Sequence, residues 1–540
     1  MHHMRNTMRF LLWSGLAVAS ALGADGDLPA GAAMAPIRIG IGPAHRTLTL
    51  DQAIEMAMGN NLDIAIERTN VDSANQAIQA ARGAFDPVLA WKPGIDNSQT
   101  PTPSLIDSTT GVVTQHSAGQ NFALHESTAW SGLSFDASFD DRRLTLASPF
   151  VALNPFYVSQ LRFGISQPLL RGRGTDAART LVTIRSRQRD VSAAELEARA
   201  IDVAARTAAA YWDLVALRRQ GEVDAEAVDL ARTQLERDRR RIAAGSLASV
   251  ELSASQAELE KRLDDWYRTA GAITEQENAL KTLLAHDRGD PLWAVALEPS
   301  ENAAPEPPAA VLLEDAVAEA LGRRPELREV DSQLAANQIE TRQDADLTRP
   351  QVNLVASYTR SGMAGTANAL PPALAALGVA SALPGSAAGG AGASLASLFT
   401  GNYQSVQVGL EIDITARNRT ARANLADNAI ARKRLKLMRA RAEQAVAAEV
   451  RNALQALDTA RQRVRASGAA AQAARDKLES ESRLFATGES TNFLVLTRQN
   501  EYSDARRRQV EAEAALAKAV AQYQTATATI LSERQIRVAR

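Results

Sequence analysis

Cysteine does not occur anywhere in the chain. Its absence excludes a cysteine nucleophile, a disulfide framework and a thiolate metal site. Aromatic residues are nearly as scarce, at 4% of 540 residues. The length would admit three or four ordinary globular domains, but alanine-rich text with so few aromatics points to long helices instead. No sign of charge dominates. A net charge of −2 and a pI near 6.4 leave no electrostatic footprint for nucleic acid, so none is expected as a partner. The few histidines are His2, His3, His45, His116, His125 and His286, and none forms a ligand pair on a mature helix. His116 and His125 fall in what reads as an outer loop, so no metal site is expected. Arg171-Gly172-Arg173-Gly174 is glycine-rich but lacks the Lys-Ser/Thr ending of a phosphate loop. It reads as a strand-to-helix turn, and no cofactor is expected. The basic runs Arg239–Arg241 and Arg506–Arg508 have acidic neighbours and read as solvated helix faces.

Long apolar runs are missing too, with one short exception at the start. Arg5 and Arg9 precede the apolar stretch Phe10–Leu22, and small residues follow at Gly23 and Ala24. This is the pattern of a secretory signal over residues 1–24, too short for a confident membrane span. No later segment approaches 20 uninterrupted apolar residues. If the mature chain crosses a membrane, it must do so as β-strands, because lipid offers the backbone no other way to satisfy its polar groups.

What is present is an internal repeat. Leu50-Asp51-Gln52-Ala53-Ile54-Glu55 is matched by Leu313-Glu314-Asp315-Ala316-Val317-Ala318, an offset of 263 residues that also carries Pro87 onto Pro350. Further on, an offset of 243 carries Ala244-Gly245 onto Thr487-Gly488 and Arg179 onto Arg422. The chain therefore reads as two copies of one unit, residues 47–286 and 311–535, joined by a proline-rich linker at 287–310. Each copy predicts a helix (Thr47–Gly83 or Val311–Asp346), then a proline-opened β segment. A very long helix follows (Thr175–Ala243 or Ala416–Ala486), then a glycine break at Gly245 or Gly488 and a last helix (Ala248–Ala285 or Asn492–Ser532).

The long helices carry a 3.5-residue period. In the second copy Val446, Val450, Ala453, Leu457, Ala460, Val464, Ser467, Ala471, Ala474 and Leu478 step by 4 and 3. In the first, Leu214, Leu217, Gly221, Asp224, Val228, Ala231, Leu235, Asp238 and Ile242 do the same. Many seam positions are small or polar, so neighbouring helices must lie close. At 1.5 Å per residue each long helix spans roughly 100 Å, and each shorter one roughly half of that. Stacking the last helix of copy one on the first of copy two, and the final helix on the first of copy one, would match the long helices. The expected result is a tall wall with the linker near its waist.

The β segments alternate. Val406, Val408, Leu410 and Ile412 face one way, with Gln407, Gly409 and Glu411 opposite. Tyr157, Leu161, Phe163 and Ile165 alternate with Gln160 and Arg162, and Leu133, Phe135 and Phe139 with Ser134, Asp136 and Asp140. A half-buried soluble sheet would show the same alternation. The signal segment and the lack of another core favour barrel strands. The few strands of one chain cannot close a channel, so several subunits must share one barrel. Asp96–Gln120 and Ser361–Asn402 read as outer loops, and 121–140 as either extra strands or loop.

Taken together these features resemble the TolC family of outer-membrane factors. The residues that carry the likeness are the duplicated Leu48-Thr49-Leu50-Asp51-Gln52-Ala53-Ile54 opening, Gly83-Ala84-Phe85-Asp86-Pro87, Ser166-Gln167-Pro168-Leu169-Leu170-Arg171-Gly172, and the two glycine breaks with their flanks. The resemblance implies an α+β membrane protein with a long antiparallel helical coiled-coil barrel and a β-barrel shared between three subunits, twelve-stranded in the family. It implies a homotrimer in outer-membrane lipid with a large periplasmic portion, and a periplasmic adaptor and an inner-membrane transporter as partners. The protein would act as a passive exit duct for efflux or type I secretion, not as an enzyme. Gly245, Leu247, Glu251, Gly488, Phe493 and Leu494 become adaptor-contact candidates at the periplasmic tips, and Thr497 and Arg498 pore-entrance candidates. The sequence departs from the family where acidic residues ring the closed pore: Leu494 and Thr497 stand there, and Phe485 and Ser490 replace residues that hold the closed state in some members. An exported coiled-coil or adhesin-like protein without a pore is the alternative reading. A periplasmic enzyme would need a convergent polar cluster that the sequence does not display.

Overall fold

The computed structural model describes residues 38–103, 108, 110–148, 151–245, 248–301, 312–369, 372, 387–401 and 403–536. The signal segment and Leu247 lie outside the described residues, as do 302–311 of the linker. The chain divides into two units, Met1–Ile39 and Gly40–Arg540, and every element below belongs to the second.

The opening helix of each repeat is broken once, where the sequence reading expected a continuous helix. Helix α1 (Leu50–Asn60) starts in a capping box, with Thr49 Oγ1 accepting from Gln52 N at 3.1 Å and Gln52 Oε1 from Thr49 N at 3.2 Å. At Asn61 the backbone turns extended, and its side chain caps α2 (Leu62–Arg82) by accepting from Asp63 N at 2.9 Å. In repeat two the break falls at Arg324, between α5 (Leu313–Arg323) and α6 (Pro325–Leu347). Proline disfavours a helical residue before it but suits a first helical position, so Pro325 ends one helix and begins the next.

The long helices are α3 (Ala177–Ala243) and α8 (Arg419–Thr487), of 67 and 69 residues, each followed by a 35-residue partner, α4 (Val250–Leu284) and α9 (Asn492–Ala526). The 3.5-residue seam is real: Leu214, Asp224, Val228, Ala231, Leu235 and Asp238 of α3 are buried, as are Val446, Val450, Ala453, Leu457, Ala460, Ala471 and Leu478 of α8. Close approach follows from the small residues. A methyl added at Gly221 would lie 3.3 Å from Ile273 Cδ1 of α4. No helix among the described residues is long and apolar enough to cross a membrane.

The end-to-end stacking differs from the expectation. The end of α4 meets the opening of its own repeat, with Asn60 and Asn61 donating side-chain amides to Leu284 O and Leu283 O at 3.0 and 3.3 Å. The end of α9 likewise meets α6, where Arg324 Nη1 donates to Thr525 O at 3.2 Å. The physical reason is local. A helix leaves its last carbonyls without internal partners, and each repeat's helix break supplies a donor for them. The linker strengthens this closure: β6 (Ala296–Pro299) pairs in parallel with β1 (His45–Leu48), two strands the sequence reading did not foresee. The main hydrophobic core lies at this level, around Tyr211, whose hydroxyl donates to Leu48 O at 2.9 Å.

The second region is a six-stranded antiparallel sheet. Repeat one contributes β2 (Val88–Pro101), β3 (Val112–Ser127), β4 (Ser134–Leu146) and β5 (Leu153–Pro168). Repeat two contributes β7 (Gln351–Ala367) and β8 (Gln404–Asp413). The order β2-β3-β4-β5-β7-β8 leaves β2 and β8 as edges. Several expectations are corrected here. Asp96–Gln120 is largely strand rather than loop, so His116 and His125 sit on β3, and 121–140 forms strand β3, a turn and strand β4. In Ser361–Asn402, β7 continues to Ala367 and a helix, α7 (Ala391–Thr400), precedes β8. Polar alternation hides these strands, because polar residues on one face of a strand look like loop residues in a single sequence. A twelve-stranded trimer would need four barrel strands per chain, and the large sheet has six among the described residues.

Candidate functional site

The sheet has two faces of opposite chemistry. Cross-strand register places Leu89, Leu124, Ala137, Phe163, Tyr358 and Val406 in one row spanning all six strands. The next residues, Ala90, Ala123, Ser138, Arg162, Thr359 and Ser405, form the row behind it on the other face. On the apolar face Trp91 stacks on Phe122 with ring centroids 6.0 Å apart. Val406, Val408, Leu410 and Ile412 are well exposed on edge strand β8, as are Leu89 and Trp91 on edge strand β2. Such a surface suits lipid outside and water inside. The polar face carries His125, whose Nδ1 lies 2.7 Å from Asp136 Oδ1.

At the far end of the long helices lie the two glycine turns. Gly245 (φ +71) and Gly488 (φ +85) are both left-handed, as a helix reversal requires. Gly488 N and Glu489 N reach back to Phe485 O and Leu484 O at 3.2 and 2.9 Å. Beside these turns is a buried polar network that sequence reasoning missed. Asn492, the first residue of α9, donates to Asp238 Oδ2 and Ser255 Oγ, both at 3.2 Å, and to Glu251 Oε2 at 3.4 Å. Its own Oδ1 accepts from Gln234 at 3.0 Å. Ser255 also hydrogen-bonds Asp238. The two tips are thereby joined side chain to side chain. A signal existed, since Asp238 is an acid on an apolar seam, a position that needs a partner when buried.

The predicted residues fall as follows. Glu251 belongs to the network through Asn492. Phe493 is 73% exposed and Leu494 37%, an apolar pair just after the turn. Thr497 is half-buried and its hydroxyl bonds Phe493 O at 2.8 Å. Arg498 is not a free cation: it pairs with Glu501 at 2.8 Å and lies 3.9 Å from Glu481. Ser490 hydrogen-bonds Glu481, and Phe485 is buried beneath the Arg241 guanidinium, 4.3 Å from the ring centroid. Neither basic run is only a solvated face. Arg241 makes that stacking contact and bonds Phe485 O at 3.2 Å. Arg507 of α9 binds the buried Asp224 of α3 at 2.7 Å, with Thr269 Oγ1 donating to the same carboxylate at 2.6 Å. Burial opposes the charge on Arg507, but Asp224, Asp265 and Asp504 outweigh it and raise its pKa.

The chain matches the model of the family described as outer membrane efflux protein over residues 134–286 and 316–529. A comparison with curated protein sequences finds no significant match. Among solved structures, a membrane protein from Pseudomonas aeruginosa is 16% identical, covers 88% of this chain and 90% of its own, and superposes with a TM-score of 0.60. The channel CusC is 15% identical with coverages of 88% and 91% and a TM-score of 0.60. The outer membrane protein VceC of Vibrio cholerae is 14% identical, with coverages of 88% and 95% and a TM-score of 0.59. At these identities the structures establish a shared fold, and the family match, over more than half of the chain, establishes kinship. Family members are trimeric channels of the outer membrane with a large periplasmic helical portion, not enzymes. The chain belongs to the outer membrane efflux protein family.

Proposed function

We propose that the mature protein is the passive exit duct of a tripartite export assembly, exported with the help of residues 1–24. The observation that carries the reading is the six-stranded sheet, apolar on one face and polar on the other, set on long helices that end in two glycine turns. Three copies of six strands make eighteen. Strand β2 leaves the helical region and β8 returns to it, so β8 of one copy and β2 of the next meet antiparallel, covering both open edges. Barrel diameter grows roughly linearly with strand number, so the mouth would be about half as wide again as a twelve-stranded one. Adaptor hairpins dock at the tips, where Phe493 and Leu494 offer apolar surface next to Gly488; Gly245, Leu247 and Glu251 are the remaining contact candidates.

The test is planar-bilayer conductance of the purified mature protein, with its oligomer mass measured in the same detergent. A trimer opening discrete pores supports the duct. A soluble monomer that opens none returns the protein to the exported coiled-coil reading. Thr497→Asp refines the entrance: a raised cation preference is expected if the position lines the pore, and unchanged selectivity removes it from the pore wall.

A further inference from the structure

Helix α7 is built inside out. Of its residues Ala391–Thr400, none is charged, and Ser394 and Ser397 are buried with Leu398 against the sheet. Gly392, Leu395, Ala396 and Phe399 form an i, i+3, i+4, i+7 stripe that faces away from it, with Phe399 69% exposed and Leu395 37%. In water, a helix on a sheet does the opposite.

The seat of α7 explains its polar underside. Ser394 Oγ lies 2.9 Å from Ser159 Oγ of β5 and bonds Gly362 O of β7 at 3.1 Å, and Ser397 Oγ accepts from Met363 N at 3.0 Å. Gly362 permits this approach, since a methyl there would stand 2.2 Å from Ser394 O. Arg360 closes the C-terminal end by donating to Phe399 O and Gly401 O at 3.2 and 2.8 Å. Register puts Ser159, Arg360 and Gly362 on the same face as Leu161, Phe163 and Tyr358. Helix α7 therefore lies on the apolar face, over β5 and β7, at the end remote from the long helices. Its outward stripe extends the apolar surface over a level where that face of the sheet itself carries Ser159, Asp141 and Arg360.

We propose that α7 is an interfacial membrane helix, lying at the head-group boundary of the outer leaflet with Leu395, Ala396 and Phe399 in the acyl chains. The inference rests on the barrel reading above, because the belt that α7 extends is the lipid-facing one. Continuity with that belt selects lipid as the occupant. Its polar side is already satisfied by the sheet, and an exposed apolar stripe gains free energy at the head-group boundary in proportion to the apolar area it buries there.

The cysteine-free chain allows a direct test. Phe399→Cys, Val408→Cys on the belt and Gln407→Cys on the polar face each provide one thiol for a nitroxide label. The full mature chain is reconstituted in phosphatidylethanolamine/phosphatidylglycerol vesicles, and spin relaxation by oxygen is compared with that by a water-soluble nickel complex. Labels at 399 and 408 are expected to favour oxygen several-fold, and the label at 407 to favour nickel. If 408 faces lipid but 399 responds to nickel like 407, α7 is in water and the inference is overturned alone. A label at 399 that is shielded from both reagents overturns it in favour of a protein contact. If 408 also faces water, the barrel reading falls with it. Ala396→Cys, a smaller change on the same stripe, gives the same reading should the Phe399 variant fail to assemble.

Discussion

The two repeats agree in their helices and differ in their sheets. Helices α3 and α8 differ by two residues in length, and α4 and α9 match at 35 residues. Repeat one, however, contributes four strands to the large sheet and repeat two only two. Helices packed side by side along their whole length cannot change length independently without leaving an end unpartnered. A meander can grow, but only by pairs: the last strand must still return to the helical end, and an added hairpin preserves that direction. Insertion of β3 and β4 between β2 and β5 satisfies this rule.

The tips show the same contrast in chemistry. An offset of 243 carries Asp238 onto Glu481, Ser255 onto Arg498 and Ser249 onto Asn492. One slot thus holds an acid facing its partner across each turn. In repeat one the acid is buried and tied to Asn492, whereas in repeat two it meets the partly exposed Arg498. A duplicated scaffold has kept its geometry and specialised its contacts.

The largest effect expected from breaking this asymmetry is at Arg507. Arg507→Met leaves the Asp224 carboxylate, 1% exposed, without its cation, a change that costs on the order of 3–5 kcal/mol. Hydrogen exchange along the lower part of α3 and α9 should accelerate accordingly, while Arg498→Met should cost about 1 kcal/mol or less, as for exposed pairs. Next comes Asn492→Ala, which strips donors from buried Asp238 and Ser255 and should cost about 1–3 kcal/mol. Its counterpart Ser249→Ala should do almost nothing, because Ser249 makes no side-chain cap bond. Exchange at residues 485–495 separates the two. Gly245→Ala and Gly488→Ala should then behave alike, each losing about 1–2 kcal/mol, since both are left-handed and nothing lies within 4 Å of an added methyl. A difference between them in thermal melting would show that the tips are not equivalent as turns.

The smallest effect concerns pH. Burial first, then Asp344, raises the pKa of Glu340 on α6. A raised carboxyl pKa means that the fold favours the neutral form, so the stabilising contribution is complete below the unfolded pKa and is lost as pH rises through the folded one. Glu340→Gln should therefore raise the melting midpoint at about pH 8 and leave it unchanged at about pH 3.5.

The helical architecture was legible in the sequence because a 3.5-residue seam and two left-handed glycines are local signals. Val446, Val450, Ala453, Leu457, Ala460, Ala471 and Leu478 are buried along that seam, and Gly245 and Gly488 both have positive φ. The stacking was not legible, because Asn60, Asn61 and Arg324 act through carbonyls far away in sequence. Strand β3 reads largely as loop in the sequence because one face of it is polar. Helix α7 lay hidden because its apolar stripe, Leu395 to Phe399, is set in a run of Gly, Ala and Ser that reads as linker. At the tip, Asp238 was visible as a seam anomaly, but its partner Asn492 was not, since nothing in one sequence says which residues cross from one repeat to the other.

The central claim is a shared barrel, and an electron cryo-microscopy map of the mature protein in lipid nanodiscs tests it most directly. The account predicts three copies, β8 of each paired antiparallel with β2 of the next, and three times six strands around one pore. A map in which each chain's sheet stands apart with free edges, or in which β3 and β4 fold away from the wall, would contradict it.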